Sequence, residues 1–339
     1  MRSELAPWRL IPQCLVGPVL DGPAAVVGHF GAVQSQMHDM SLWALGRRSG
    51  ATLAEVEAAF ERGDFVRTHP LRPTWHHVLV SDLRDLLEVT APRIRQAMGS
   101  TNRGWGLTPS SIAHWAAIAV EAVRAGGPLT RPEVETILEG EGFARVGNSM
   151  AHVMAEAELT GEIHSGPMRG RQHTYIAADL PPSRRTPEER LAWIARTYLR
   201  GHGPARPQDL AWWSDITLTQ ARRAFELAEV EPVEVAGESL FAVMPLAEVD
   251  IPATLLLAPF DELISYARDG LDTAPYMGMS GLLFLDGELA GSWGRKAGKR
   301  SATVTVQAAR PLEQRHRTAL DAEAEAYSRF LGTPVELVV

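Results

Sequence analysis

The chain has 339 residues with 33 Lys+Arg against 41 Asp+Glu, a net charge of −8, 45% hydrophobic and 22% charged side chains, and one cysteine. That balance excludes a disordered or fibrous chain, and at roughly 100–200 residues per domain the length predicts two or three compact units. A lone Cys14 excludes a disulfide framework and any multi-cysteine metal site and fits a reducing cytosol; no apolar run reaches a membrane span, and Ile11 to Leu20, broken by Pro12 and Pro18, is not a signal peptide.

Capping signals divide the chain into a unit that appears three times. In the first copy Asp21 caps a helix with Pro23 in its first turn and Val26, Val27, Phe30 and Val33 as its apolar stripe. Asp39 caps a second helix carrying Trp43, and Thr52 with Glu55 forms a capping box for a third, which stops at Gly63. Strand-like runs Phe65–Thr68 and Thr74–Val80 follow. The second copy starts at Thr108-Pro109, restarts at the Thr130/Glu133 box and has a third helix over Ser149–Leu159, then strands near Glu162–His164 and His173–Ala177. The third uses the Thr186/Glu189 box, a short helix after Pro207, the Thr217/Gln220 box, and strands Pro232–Val235 and Leu240–Met244. Three helices and a hairpin outline a winged helix, so residues 1–100, 101–182 and 183–250 are expected to be three tandem winged-helix modules in an α+β fold. Tryptophans 105, 115, 193, 212 and 213 fall on helical stripes and are expected in the core.

Residues 251–339 read differently. Strands Ala253–Ala258, Leu282–Leu285, Glu288–Trp293 and Thr303–Val306, a hairpin turn at Asp286-Gly287, a helix Leu312–Leu331 and a last strand Val335–Val339 predict a small mixed β domain. Charge is segregated here. Residues 291–310 hold Arg295, Lys296, Lys299, Arg300 and Arg310 with no acid, and those are the only lysines of the chain, whereas residues 226–250 hold seven acids and no base. The tip Arg295–Arg300 thus has the composition of a cationic hairpin that tracks phosphates or enters a groove.

The segments Gly31-Ala32-Val33-Gln34-Ser35-Gln36, Leu42-Trp43-Ala44-Leu45-Gly46-Arg47, Leu71-Arg72-Pro73-Thr74-Trp75-His76, Phe260-Asp261-Glu262-Leu263 and Phe284-Leu285-Asp286-Gly287-Glu288-Leu289-Ala290-Gly291 resemble the AlkZ/YcaQ-type family of winged-helix DNA glycosylases over nearly the whole chain. Gln34 and Gln36 match the Gln-x-Gln motif of the AlkZ-like branch. The resemblance implies hydrolytic excision of bulky N7-alkylated guanine, in some members unhooking of interstrand crosslinks, and self-resistance in bacteria that make DNA-alkylating products. It departs at Ala258-Pro259-Phe260-Asp261-Glu262-Leu263, where family members commonly read Asn-Phe-Asp-Glu-Tyr, so no role is carried onto Asp261 or Glu262.

The chemistry suits amides. A guanine alkylated at N7 is cationic and leaves without protonation, so the task reduces to placing a water near C1′ and stabilising positive charge on the sugar. Glutamine is no strong base, yet its amide can orient water, and a carbonyl dipole suits an oxocarbenium-like sugar. With no lysine in the first 250 residues, a Schiff-base step is not expected and the enzyme is monofunctional. Residues i and i+2 on an α-helix lie about 200° apart, so Gln34 and Gln36 converge only if the helix ends or deforms around them.

Arg72, His76, Arg295, Lys296, Lys299 and Arg300 are the expected DNA contacts. His69, His76 and His77 lack a carboxylate or cysteine at metal-site spacing, so no metal and no cofactor is expected. The expected partner is double-stranded DNA carrying an alkylated purine, bound by a monomer in the bacterial cytoplasm at the nucleoid, with no membrane. Two other classes compete: a non-catalytic tandem winged-helix transcriptional regulator reading DNA through Ser149–Leu159 or Thr217–Ala228, and a scaffold using the acidic 226–250 surface.

Overall fold

A computed structural model describes residues 3–266, 280–298 and 300–339; Lys299 lies outside them. The fold is α+β. After a short α1 (Ala6–Arg9), helix α2 (Pro23–Phe30) leads through a two-residue strand β1 (Val33–Gln34) into α3 (His38–Ser49), α4 (Leu53–Glu61) and the hairpin β2 (Val66–Leu71)–β3 (Thr74–Val78). Helix α5 (Val80–Gly104) then connects to α6 (Pro109–Gly126), β4 (Leu129–Thr130), α7 (Arg131–Gly140), α8 (Ser149–Leu159) and the hairpin β5 (Ile163–Arg169)–β6 (Gln172–Ala177). A third run has α9 (Pro187–His202), α10 (Pro207–Ser214), α11 (Leu218–Leu227) and the hairpin β7 (Pro232–Val235)–β8 (Glu238–Phe241). The chain ends with β9 (Thr254–Leu257), β10 (Gly281–Leu285), β11 (Glu288–Ala297), β12 (Ala302–Ala308), α12 (Gln314–Leu331) and β13 (Val335–Val338).

The helix starts at the threonine capping boxes obey their local signals. Thr52, Thr186 and Thr217 each accept from the backbone N–H three residues on, while Glu55, Glu189 and Gln220 reach back to the cap N–H. Other elements depart from the expected pattern: Gly22 and Met37, not Asp21 and Asp39, stand at the starts of α2 and α3. Helix α2 stops at Phe30, so Val33 and Gln34 belong to a strand and not to its apolar stripe. Helix α5 stands where no element was expected, although Leu83, Leu86, Leu87, Ala91, Ile94 and Met98 recur at helical spacing and are buried. Pro92 sits inside it; the missing N–H costs one hydrogen bond, which the buried stripe outweighs.

The hairpins do not stand apart. Strand β2 pairs with β5 at Arg67 and Ser165, giving one six-stranded sheet in the order β1-β3-β2-β5-β6-β4. The C-terminal sheet runs β13-β12-β11-β10-β9, antiparallel except for β12 and β13. Helices α2–α4 share a core with that sheet, in which Val26, Trp43 and Val56 meet Leu283, Trp293 and Phe330. Each such side chain contributes about 1.5–3 kcal/mol by leaving water. Trp43 also donates to the Leu256 carbonyl at 2.8 Å and meets the Tyr327 ring edge-on at 5.0 Å. A second core joins α5, β2 and β3 to α9–α11 through Leu86, Ile94, Tyr198, Leu210 and Trp213. Segment 31–36 therefore lies where the first helices, α9–α10 and the C-terminal part meet. Among the described residues no helix is long and apolar enough to cross a membrane.

Candidate active site

Helix α2 is stopped by Gly31, whose φ of +78° is open to glycine; a Cβ there would lie 2.5 Å from Thr197 Cγ2 of α9. The chain then extends. Val33 and Gln34 pair with His77 and His76 of β3, and the Ser35 N–H continues the ladder to the Trp75 carbonyl at 2.8 Å. Strand β1 ends at Gln34, and Gln36 lies in the bend before α3, which begins at His38, so neither glutamine stands on a helix.

Both amides are oriented by groups that can only donate. Arg72 donates from Nη2 to Gln34 Oε1 at 3.0 Å, and the Trp75 N–H donates to Gln36 Oε1 at 3.3 Å. Each carbonyl is therefore fixed, and each amide keeps one lone pair and two N–H donors. Gln34 is half-buried and Gln36 exposed. Arg72 occupies the β2–β3 turn with φ +51°, a conformation a side-chain-bearing residue holds only when its surroundings require it. Its guanidinium lies 4.8 Å from the ring centre of Trp212, and burial lowers its pKa.

Beneath Gln34 is a carboxylate to which the sequence assigned no role. Glu262 is fully buried and accepts from the Gln34 N–H at 2.8 Å, from His202 Nε2 at 2.9 Å and from Trp213 Nε1 at 3.3 Å. Burial alone would raise its pKa; the hydrogen bond and charge of His202 and the Gln34 N–H overcome this and hold it at about 2. His202 turns its other ring nitrogen to the Tyr198 carbonyl at 3.1 Å. The neighbouring Asp261 is taken up by Arg48 through two bonds of 2.9 and 2.7 Å, both groups fully buried, which pins the segment to α3. Two consecutive acids inside the apolar run from Leu255 to Leu263 are the signal that could have drawn attention to them.

The remaining expected contacts fall into two groups. His76 is fully enclosed with Nδ1 against the Thr74 carbonyl at 3.0 Å, and burial beside Arg72 lowers its pKa to about 3, so it offers a phosphate neither surface nor charge. Arg295 lies within β11 and leans to Asp39 at 3.7 Å instead of standing at a tip. Lys296, also in the strand, and Arg300 are exposed. Trp293 is buried and anchors the hairpin through a bond to the Leu257 carbonyl at 2.8 Å. His69 pairs with the buried Glu158, and His77 faces the opposite side of β3 from His76, against Phe60, Phe65 and His38. Among the described residues no group of three or more His, Cys, Asp or Glu is placed to hold a metal ion.

The two helices that a sequence reader would use differ in exposure, α11 burying only Ala221, Ala224 and Phe225 and leaving Arg222 exposed. Nine of the eleven residues of α8 are buried, including Glu156 and Glu158. On α11, Arg223 is paired with Glu188 and Glu226. Of the tryptophans expected inside, Trp213 is buried, Trp105, Trp115 and Trp193 are half-buried, and Trp212 is exposed.

A family model described as DNA glycosylase AlkZ-like matches residues 27–330. The fold is similar to the solved structure of Streptomyces sahachiroi DNA glycosylase AlkZ, with a TM-score of 0.79 at 20% identity over 99% of each chain. No curated protein matches.

Proposed function

Since the chain belongs to the AlkZ-like DNA glycosylase family, we propose that this DNA glycosylase hydrolyses the N-glycosidic bond of N7-alkylated guanine in duplex DNA, bulky adducts and crosslinks included, with Gln34 and Gln36 as its catalytic residues. The observation that carries the reading is that both amides reach the β2–β3 hairpin, each with its carbonyl fixed by a donor there and its remaining hydrogen-bonding capacity unspent among the described residues. Such amides hold a water in a defined orientation, and holding a nucleophile in line with its target removes much of the entropic barrier. A cationic leaving base needs no acid to depart. Glu262, ionised directly behind Gln34, adds negative potential where the sugar becomes positive.

Around this centre Arg72 serves the substrate strand, and Lys296 and Arg300 on the β11–β12 hairpin serve the phosphates. Residues 1–100, 101–182 and 183–250 act as three winged-helix modules that hold the duplex, with 251–339 presenting the hairpin. An open array of this kind accepts an adduct too large for a closed base pocket.

The test is direct. Purified protein is incubated with duplexes carrying N7-methylguanine, a bulky N7 monoadduct or an N7 crosslink, and alkali-labile abasic sites are counted. The Gln34→Ala/Gln36→Ala variant is expected to bind each duplex with near wild-type affinity and to release base at least about 100-fold more slowly. Release at the wild-type rate by that variant removes the two glutamines from the mechanism.

A further inference from the structure

We propose that Trp212 is a stacking platform for a planar aromatic ring of the DNA substrate, set beside the Gln34 amide by Arg72. The inference rests on the proposed base-releasing role of Gln34 and Gln36 and adds to it the ring the site grips. Trp212 is the one exposed Phe, Tyr or Trp among the described residues. Its position is tied to the site from two directions. Consecutive residues of a helix are about 100° apart, so α10 sends Trp213 inward to Glu262, which binds the Gln34 N–H, and leaves Trp212 at the surface. From the other side Arg72 bridges the exposed indole to the Gln34 carbonyl, 4.8 Å from the ring centre and 3.0 Å from Oε1. Arg72 Nε has no hydrogen-bond partner among the described residues.

An indole left in water with a guanidinium over one face offers its other face to a planar ring, and the cation lies near enough to meet a phosphate. Stacking on such a ring is tolerant of base identity and strengthens single-strand contacts measurably. The ring has two sources of the same chemistry: a nucleobase unstacked at the lesion, or an aromatic portion of the adduct.

The experiment measures binding in the Gln36→Ala background, which keeps the Gln34 carbonyl that Arg72 holds, over times short against base release, by fluorescence anisotropy. Three labelled duplexes are used, carrying N7-methylguanine, an N7 adduct with a fused aromatic ring, or an aliphatic N7 adduct of similar bulk. Adding Trp212→Ala or Trp212→Leu is expected to weaken binding about tenfold, and Trp212→Phe to retain most of it. A loss shared by all three duplexes assigns the ring to the nucleobase; a loss confined to the aromatic adduct assigns it to the adduct. Unchanged binding by Trp212→Ala on all three, or a Trp212→Leu variant as good as Trp212→Phe, overturns the platform. Base release by the unmodified protein is followed in parallel: its absence sinks the glycosylase mechanism at Gln34 and Gln36, while the binding comparison still decides Trp212.

Discussion

The first two helix sets meet the same structural demand in different ways. In each, a two-residue strand after the first helix pairs with the second strand of the hairpin: Val33 and Gln34 with His77 and His76, Leu129 and Thr130 with Tyr175 and Thr174. The backbone N–H at the end of that strand needs an acceptor in both. For Thr130 it is Glu133, three residues away at 2.7 Å; for Gln34 it is Glu262, 228 residues away at 2.8 Å. The third set repeats the local solution, with the Arg206 N–H on Asp209 at 2.7 Å. Where the carboxylate is local, the strand runs straight into a helix and the side chains serve as caps. Where it is supplied from the C-terminal part, three residues separate strand and helix, and the glutamine side chains meet the β2–β3 hairpin instead of serving as caps.

Replacing the distant acceptor should do most harm. Glu262→Ala leaves His202 and Trp213 facing an empty buried space and is expected to cost about 3–5 kcal/mol, read as a large fall in Tm. Glu262→Gln keeps an acceptor for the Gln34 N–H but removes the charge; it should remain folded and release base about tenfold or more slowly. A Gln variant as active as wild type would show that the charge behind Gln34 has no part in the rate.

Acid should expose the same asymmetry. His29, His38 and His76 are held neutral by burial, with pKa values lowered to about 4, 4 and 3. The unfolded chain then binds protons first, so the stability present above about pH 6.5 is lost as pH falls from there towards 4. Glu262, held at about 2, adds a second loss as pH falls below its unfolded value of about 4.5. Tm measured from pH 7.5 down to 3.5 should fall throughout. In Glu262→Gln the part below pH 4.5 should be shallower, and an identical slope would assign the acid lability to other groups.

The smallest effect belongs to the local acceptor. Glu133→Ala removes the bond to Thr130 and the exposed pair with Arg169, and should lower Tm only slightly with base release unaltered. A loss of base release in this variant would mean that the second set is coupled to the site.

The contrast also explains what could be read in advance. Helix starts at Thr52, Thr186 and Thr217 were legible because their bonds close within four residues, and the C-terminal strands because their apolar runs end at Asp286-Gly287. Gln34, Gln36 and Arg72 were singled out through motif resemblance. The end of α2 was not legible: Val33 fits a helical stripe, and only the approach of Thr197 to Gly31 shows that the helix must stop. Helix α5 was obscured by Pro92, a local breaker overridden by a buried stripe. His76 and Arg295 were assigned by residue type, but one is enclosed and the other leans to Asp39.

By itself the amino-acid order determined the mixed class, the succession of capped helices and turns, and a pair of amides two residues apart, because each depends on interactions a few residues long. Packing decided that Arg72 and Glu262 hold Gln34 by its carbonyl and its backbone N–H, that the Trp75 N–H holds Gln36, and that Trp212 is left in water while Trp213 is not. Those outcomes depend on groups brought together from up to 228 positions apart, and such distances close only when the cores between them form.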